Sequence, residues 1–135
     1  MKMSVYLTFS GNCHVAMTFY QQCFGGSLRF QKLGETPLPD KIPSHFKSLI
    51  IKATLINNDF DLIATDFASD TGLVTGNNIS LHLNCSSKSQ IFSLYNKLSK
   101  NGKQLYPVKE THYGDLQGSV TDKFGINWLL HFSKK

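Results

Sequence analysis

The feature that most limits what this chain can fold into is a change of hydrophobic period that occurs twice. Residues 5–9 alternate as a strand does; from Gly11-Asn12 onward, Ala16, Phe19, Tyr20, Cys23 and Phe24 fall at i, i+3, i+4, i+7 and i+8. That spacing gathers apolar side chains on one face of a helix. A helix over about 13–24 is expected, with Asn12 capping its free amides and Gly25-Gly26 supplying the left-handed residue that stops it. Strand-like runs near 27–33, 47–56 and 60–66 follow, the last two joined by the turn-forming Asn57-Asn58-Asp59. The pattern then repeats. Residues 78–84 alternate, so that Ile79, Leu81 and Leu83 share one face and Asn78, Ser80, His82 and Asn84 the other. Ile91, Leu94, Tyr95 and Leu98 make the apolar stripe of a second helix, Ser87 and Gln90 fit a capping box, and Asn101-Gly102 ends it. Strands near 103–108, 115–121 and 126–132 complete the second half, with Asp122-Lys123-Phe124-Gly125 turning between the last two.

Each half therefore reads strand, helix, three strands. The economical reading is an α+β chain of two βαβββ modules, about 1–70 and 76–135, in a single domain of 135 residues, because a half-sheet with one apolar face needs a cover. Residues 34–43 carry Pro37, Pro39 and Pro43 and break the symmetry, either as a plain connection or as a mobile cover over a site. Residues 35–45 are accordingly expected to be more mobile than the strands. An apolar fraction of 41% with 17% charged residues is ordinary for a soluble protein, and no run approaches the roughly 20 apolar residues of a membrane span. The N-terminus lacks an apolar signal core, which makes the cytoplasm the default location. Cys13, Cys23 and Cys85 form no CxxC pair and read as small apolar fillers. The net charge of +5 comes from scattered lysines without interleaved aromatics, which argues against a nucleic-acid surface.

Three segments carry a resemblance: Tyr6-Leu7-Thr8-Phe9-Ser10-Gly11-Asn12; Phe19-Tyr20 ahead of Phe24-Gly25-Gly26; and Tyr113-Gly114-Asp115-Leu116-Gln117-Gly118 ahead of Asp122-Lys123-Phe124-Gly125-Ile126-Asn127-Trp128. With them the chain resembles PhnB-like proteins of the vicinal-oxygen-chelate (glyoxalase/bleomycin resistance/dioxygenase) superfamily. The resemblance implies a curved mixed sheet enclosing a cleft, and a homodimer. It also implies that catalytic relatives hold a divalent metal with His and Glu side chains on four strands. The corresponding positions here are Val5, Ala64 or Thr65, Asn78 and Leu129, of which only Asn78 could coordinate. No cofactor is therefore expected, with a divalent metal as the alternative. Some relatives carry a methyltransferase name, but no glycine-rich strand-to-helix loop that would hold an adenosyl cofactor is present.

The alternation predicts that Asn78, Ser80 and His82 face the cleft, joined from the last strand by Asn127, Leu129 and His131. Tyr113 and Trp128 would shape a pocket, Trp128 having the core as its competing place. The expected ligand-binding set is thus Asn78, His82, Tyr113, Asn127, Trp128 and His131. A runner-up metal set is Asp66 with His82 and His131, Asp66 otherwise capping a turn. His14 and His45 read as solvent-facing, His112 as a rim residue, and Lys52 as lying on a sheet edge or meeting an anionic ligand. No nucleophile elbow or phosphate-cradling glycine pair is seen. The expected function is binding of a small molecule by a glyoxalase-like protein without a catalytic metal. The alternative is a metal-dependent glyoxalase/dioxygenase-type enzyme acting on a small oxygenated substrate.

Overall fold

The structure, a computed structural model, describes residues 1–36, 43–69 and 71–134. Its elements run β1 (Val5–Thr8), α1 (Cys13–Phe24), β2 (Ser27–Lys32), β3 (Ile50–Ile56), β4 (Asp61–Thr65), β5 (Leu81–Cys85), α2 (Lys88–Ser99), β6 (Lys103–Glu110), β7 (Leu116–Thr121) and β8 (Asn127–Phe132). Two compact units, Met1–Val74 and Thr75–Lys135, each hold one βαβββ module. The sheets repeat one topology, β1-β4-β3-β2 and β5-β8-β7-β6. In each, the first strand lies parallel to the last and the other pairings are antiparallel. The α+β fold of two mixed four-stranded sheets is the expected one. Residues 37–42, which include Pro37 and Pro39 and most of the segment expected to be mobile, lie outside the described residues. There, 3-10 turns at Leu33–Glu35 and Ser44–Phe46 are tied by Leu33 N–H to Leu49 O (2.9 Å) and Gly34 N–H to Lys47 O (3.1 Å).

In the first module, Leu7, Leu62, Ala64, Ala53 and Leu55 share one sheet face by register and are all buried. Helix α1 covers that face with Cys13, Ala16, Met17, Tyr20 and Cys23. In the second, Leu116, Val120, Trp128 and Leu130 lie beneath Ile91, Tyr95 and Leu98 of α2. Each fully buried large side chain contributes about 1.5–3 kcal/mol over its exposed state. Helix endings correspond for a steric reason. A Cβ on Gly26 would stand 2.5 Å from Ile56 O and one on Gly102 would stand 2.5 Å from Thr121 O, so each chain leaves its helix pressed against the end of the module's third strand. Asn101 takes the left-handed conformation (φ 59°) before the second of them.

Three expectations need correction. Asn12 makes no side-chain cap; instead Oδ1 of Asp66 accepts from Gly11 N–H and Cys13 N–H (both 2.9 Å), and its Oδ2 accepts from Ile50 N–H (2.8 Å). A buried carboxylate 55 residues away thus does the work assigned to a neighbour. The strand expected from residue 78 begins at Leu81, and Ile79 is 72% exposed rather than packed under α2. The cause is Asn127, whose Nδ2 donates to Gly76 O (3.0 Å) and Ile79 O (3.3 Å) and so holds residues 76–79 by a side chain rather than a ladder. Half of the expected capping box at α2 is present: Ser87 Oγ accepts from Gln90 N–H at 3.0 Å, while Gln90 Oε1 accepts from the N–H of Ser86, one residue before the cap, at 2.7 Å. Lys52 is exposed on inner strand β3, on the face away from α1, not at a sheet edge.

Candidate functional site

The face of the second sheet turned away from α2 carries the polar side chains. Register places His82 opposite Leu129 and Asn84 opposite His131, and across the next ladder His131 opposite Gln117, Leu129 opposite Ser119 and Asn127 opposite Thr121. Paired residues point to the same side, so these form one continuous surface. The sequence-predicted His82 and His131 meet there, with ring centroids 5.9 Å apart and planes tilted by 30°.

His131 is clamped. Its Nδ1 lies 3.0 Å from Asn84 Oδ1 and its Nε2 3.0 Å from Asp115 Oδ2. The turn before β7 delivers that carboxylate: Thr111 N–H donates to Asp115 O (2.7 Å) and Gly114 N–H to Thr111 O (3.0 Å), closing residues 111–115. With both ring nitrogens engaged, His131 is a fixed polar wall. His82 is exposed and makes no hydrogen bond among the described residues, which leaves its ring nitrogens available to a ligand.

Beside the histidines a groove of about 560 Å³ runs over the same face, lined among others by Ser80, Tyr106, Lys109, Gln117, Ser119 and Leu129. Leu129 is the cross-strand partner of His82, so the free imidazole borders the groove. Asn127 lines it too, but Oδ1 accepts from Thr121 Oγ1 (2.7 Å) and Nδ2 holds residues 76–79, so its amide serves the frame. Asn78 is exposed on the segment so held. Tyr113 is 86% exposed in the turn that carries Asp115. Trp128, for which pocket and core are the competing places, has its ring in the core at 2% exposure, with Nε1–H donating to Asp122 Oδ2 (2.8 Å), and still contributes to the groove lining. Period-two alternation explains this, since Trp128 sits between Asn127 and Leu129 and must point to the α2 side.

Asp115, Asn84, Lys109 and Ser119 were missed as site residues. Asp115 stands inside the Tyr113-Gly114-Asp115 segment and Asn84 on the polar face of its strand, so a signal existed for both; no local pattern marks Lys109 or Ser119. At the covered end of β5, burial pushes the Cys85 thiol above its ordinary range, offset in part by a backbone hydrogen bond from His131. The Tyr95 hydroxyl is likewise pushed up by burial; it donates to Tyr106 O (2.8 Å).

The divalent metal that the sequence resemblance implies does not fit the side chains present at the corresponding positions. Val5 and Ala64 lie on the face beneath α1, by pairing with Leu62 and Ala53, and the neighbours facing the other way are Tyr6, Thr8, Ile63 and Thr65. None offers imidazole, carboxylate or thiolate. In the runner-up set, Asp66 already accepts three backbone N–H bonds. Within either module no three His, Cys, Asp or Glu side chains among the described residues gather as ligands.

Comparison with known proteins gives one family model over residues 1–131, described as 3-demethylubiquinone-9 3-methyltransferase. Protein YjdN of Escherichia coli is 28% identical over 144 aligned positions, covering 100% of this chain and 97% of that protein. The crystal structure of protein PA1353 from Pseudomonas aeruginosa is 30% identical, with a TM-score of 0.85 and 98% of each chain covered. A Bacillus cereus structure, described as a putative 3-demethylubiquinone-9 3-methyltransferase, PhnB protein, is 23% identical with a TM-score of 0.75, covering 98% of this chain and 100% of that one. The same fold extends at 16% identity and a TM-score of 0.61 to a glyoxalase/bleomycin resistance protein/dioxygenase family enzyme from Burkholderia phytofirmans, covering 94% of this chain and 95% of that one.

Proposed function

Because this chain belongs to the PhnB-like 3-demethylubiquinone-9 3-methyltransferase family, whose glyoxalase-like fold it has, we propose that it binds a small molecule on the open face of its second module without a catalytic metal. The observation that carries this reading is the pairing of a free imidazole, His82, with a fixed one, His131, at the border of a groove of about 560 Å³. One ring is available to a ligand and the other is already oriented, which is the preorganisation a binding site needs. The methyltransferase activity in that family's name has no support from the start of α1. Amides at the start of α1, where an anionic cofactor group would be received, are taken by Asp66.

A thermal-shift screen of metabolites and metals tests the reading, since a ligand that binds only the folded state raises its melting temperature. The expected result is a ligand whose shift is present in the parent protein and lost in His82→Ala with circular dichroism unchanged. Shifts that survive both His82→Ala and His131→Ala would place binding elsewhere. Elemental analysis separates the metal-dependent enzyme: about one equivalent of metal per chain, lost in both variants, would replace the metal-free reading. The reading includes a homodimer, supported by the exposed Tyr6 and Ile56 on the first sheet's uncovered face. Light scattering that stays at 15.1 kDa across micromolar concentrations would remove the dimer.

A further inference from the structure

We infer that the groove of the second module takes an anionic ligand, a small carboxylate or phosphate with a flat apolar body, and that Lys109 is its counter-charge. The inference rests on the binding reading above and names the class of ligand. It follows from where the charges of this module point. Of the two charged residues lining the groove, Lys109 pairs in register with Gln117 and so faces the open side, whereas Glu110 pairs with Leu116 and faces the α2 side. Glu110 is also neutralised there, forming an ion pair with Lys134, and its carboxyl is held below the usual range by that contact, with a smaller contribution from Lys88 at the start of α2. Asp115, the acidic group near the histidines, is paired with His131. Lys109 has no ion-pair partner among the described residues.

The open side therefore presents an uncompensated ammonium flanked by the Gln117 amide and the Ser119 hydroxyl, which can donate to the same oxygens. Tyr106 is 73% exposed, and its ring lines the groove together with apolar Leu105, Pro107 and Leu129. A cationic ligand would meet Lys109 with no free carboxylate to offset it, and a neutral one would gain nothing from the exposed ammonium.

The test uses four compounds of one shape as probes, followed by backbone amide NMR titration: benzoate, phenyl phosphate, benzyl alcohol and benzylamine. Benzoate or phenyl phosphate should move the amides of Gln117–Ser119 and Asn127–Leu129 and bind more tightly than the alcohol or the amine. Lys109→Gln should weaken the anion by about fivefold, the scale of an exposed charge pair, and added salt should weaken it in the parent protein. Lys103→Gln, on the same face but outside the groove lining, should leave it unchanged. Tighter binding of phenyl phosphate would assign a phosphate-bearing ligand, and tighter binding of benzoate a carboxylate. Equal binding of benzyl alcohol at those amides, insensitive to Lys109→Gln, would overturn the anionic class while leaving small-molecule binding intact. If no probe moves those amides, the groove is not the site and the inference fails, and the His82 screen decides the broader reading separately.

Discussion

The two modules build the same topology and start their helices in different ways. Helix α2 is capped from within its own neighbourhood: Ser87 Oγ accepts from Gln90 N–H, and Gln90 Oε1 accepts from Ser86 N–H. Helix α1 has no such box; its first amides are held by Asp66, which also binds Ile50 N–H and so fastens the helix start to two strands. The turn between the third and last strands shows a second divergence. Asn57 Oδ1 accepts from Asp59 and Phe60 N–H in the first module, and Asp122 Oδ1 accepts from Phe124 and Ile126 N–H in the second. Only Asp122 has a second oxygen to spend, and it receives the Trp128 indole. A duplicated fold thus preserves where a polar group is needed and leaves open which residue supplies it.

The largest expected effect breaks the first contrast. Asp66→Ala strands three backbone donors, two of them in fully buried contacts, and should cost about 3–5 kcal/mol in urea unfolding. A cost as small as that of an ordinary cap would show that water replaces the carboxylate. Next is Trp128→Phe, which leaves Asp122 Oδ2 without its indole donor and should cost about 1–3 kcal/mol. Ser87→Ala removes one local cap and should cost about 1 kcal/mol, well below Asp66→Ala. The last effect is absent at neutral pH and concerns the thiols. Burial, with the Asp66 charge second, pushes the Cys13 thiol up to about 12. Its unfolded-state pKa lies lower, so the unfolded chain ionises first and stability falls as pH rises above 9.0, until Cys13 itself titrates. Each such thiol contributes at most about 1.4 kcal/mol per pH unit. Alkaline urea titrations should therefore flatten in Cys13→Ala, and an unchanged slope would mean the thiol is not shielded.

How much was legible in the sequence follows the same divide between near and far. The element order, Ser87 with Gln90, Gly25-Gly26 and the Asp122 turn rest on residues a few positions apart, where backbone geometry leaves a repeating pattern. Asp66 serving Gly11 and Cys13 leaves none, because the separation is set by three intervening strands. Alternation put His82 and His131 on one face correctly, yet could not say that Asp115 would reach His131 from a turn. For Trp128 the same alternation leaves the core as one of two places, and the ring lies there. The start of β5 was misjudged because Asn78 to Leu83 alternate without a break, while the loss of pairing at Ile79 comes from a side chain on another strand.

The Asp66 clasp also bears on the order of events as the chain folds. A helix whose cap lies in its own sequence can flicker into existence in the unfolded chain, and α2 is of that kind. Helix α1 must wait until residue 66 has returned to residues 11–13, closing a loop of more than fifty residues, before its first turn is fastened. Substitutions at Asp66 should then act mainly on the unfolding rate and those in the α2 cap on the folding rate, so one repeat seeds the protein and the other locks it.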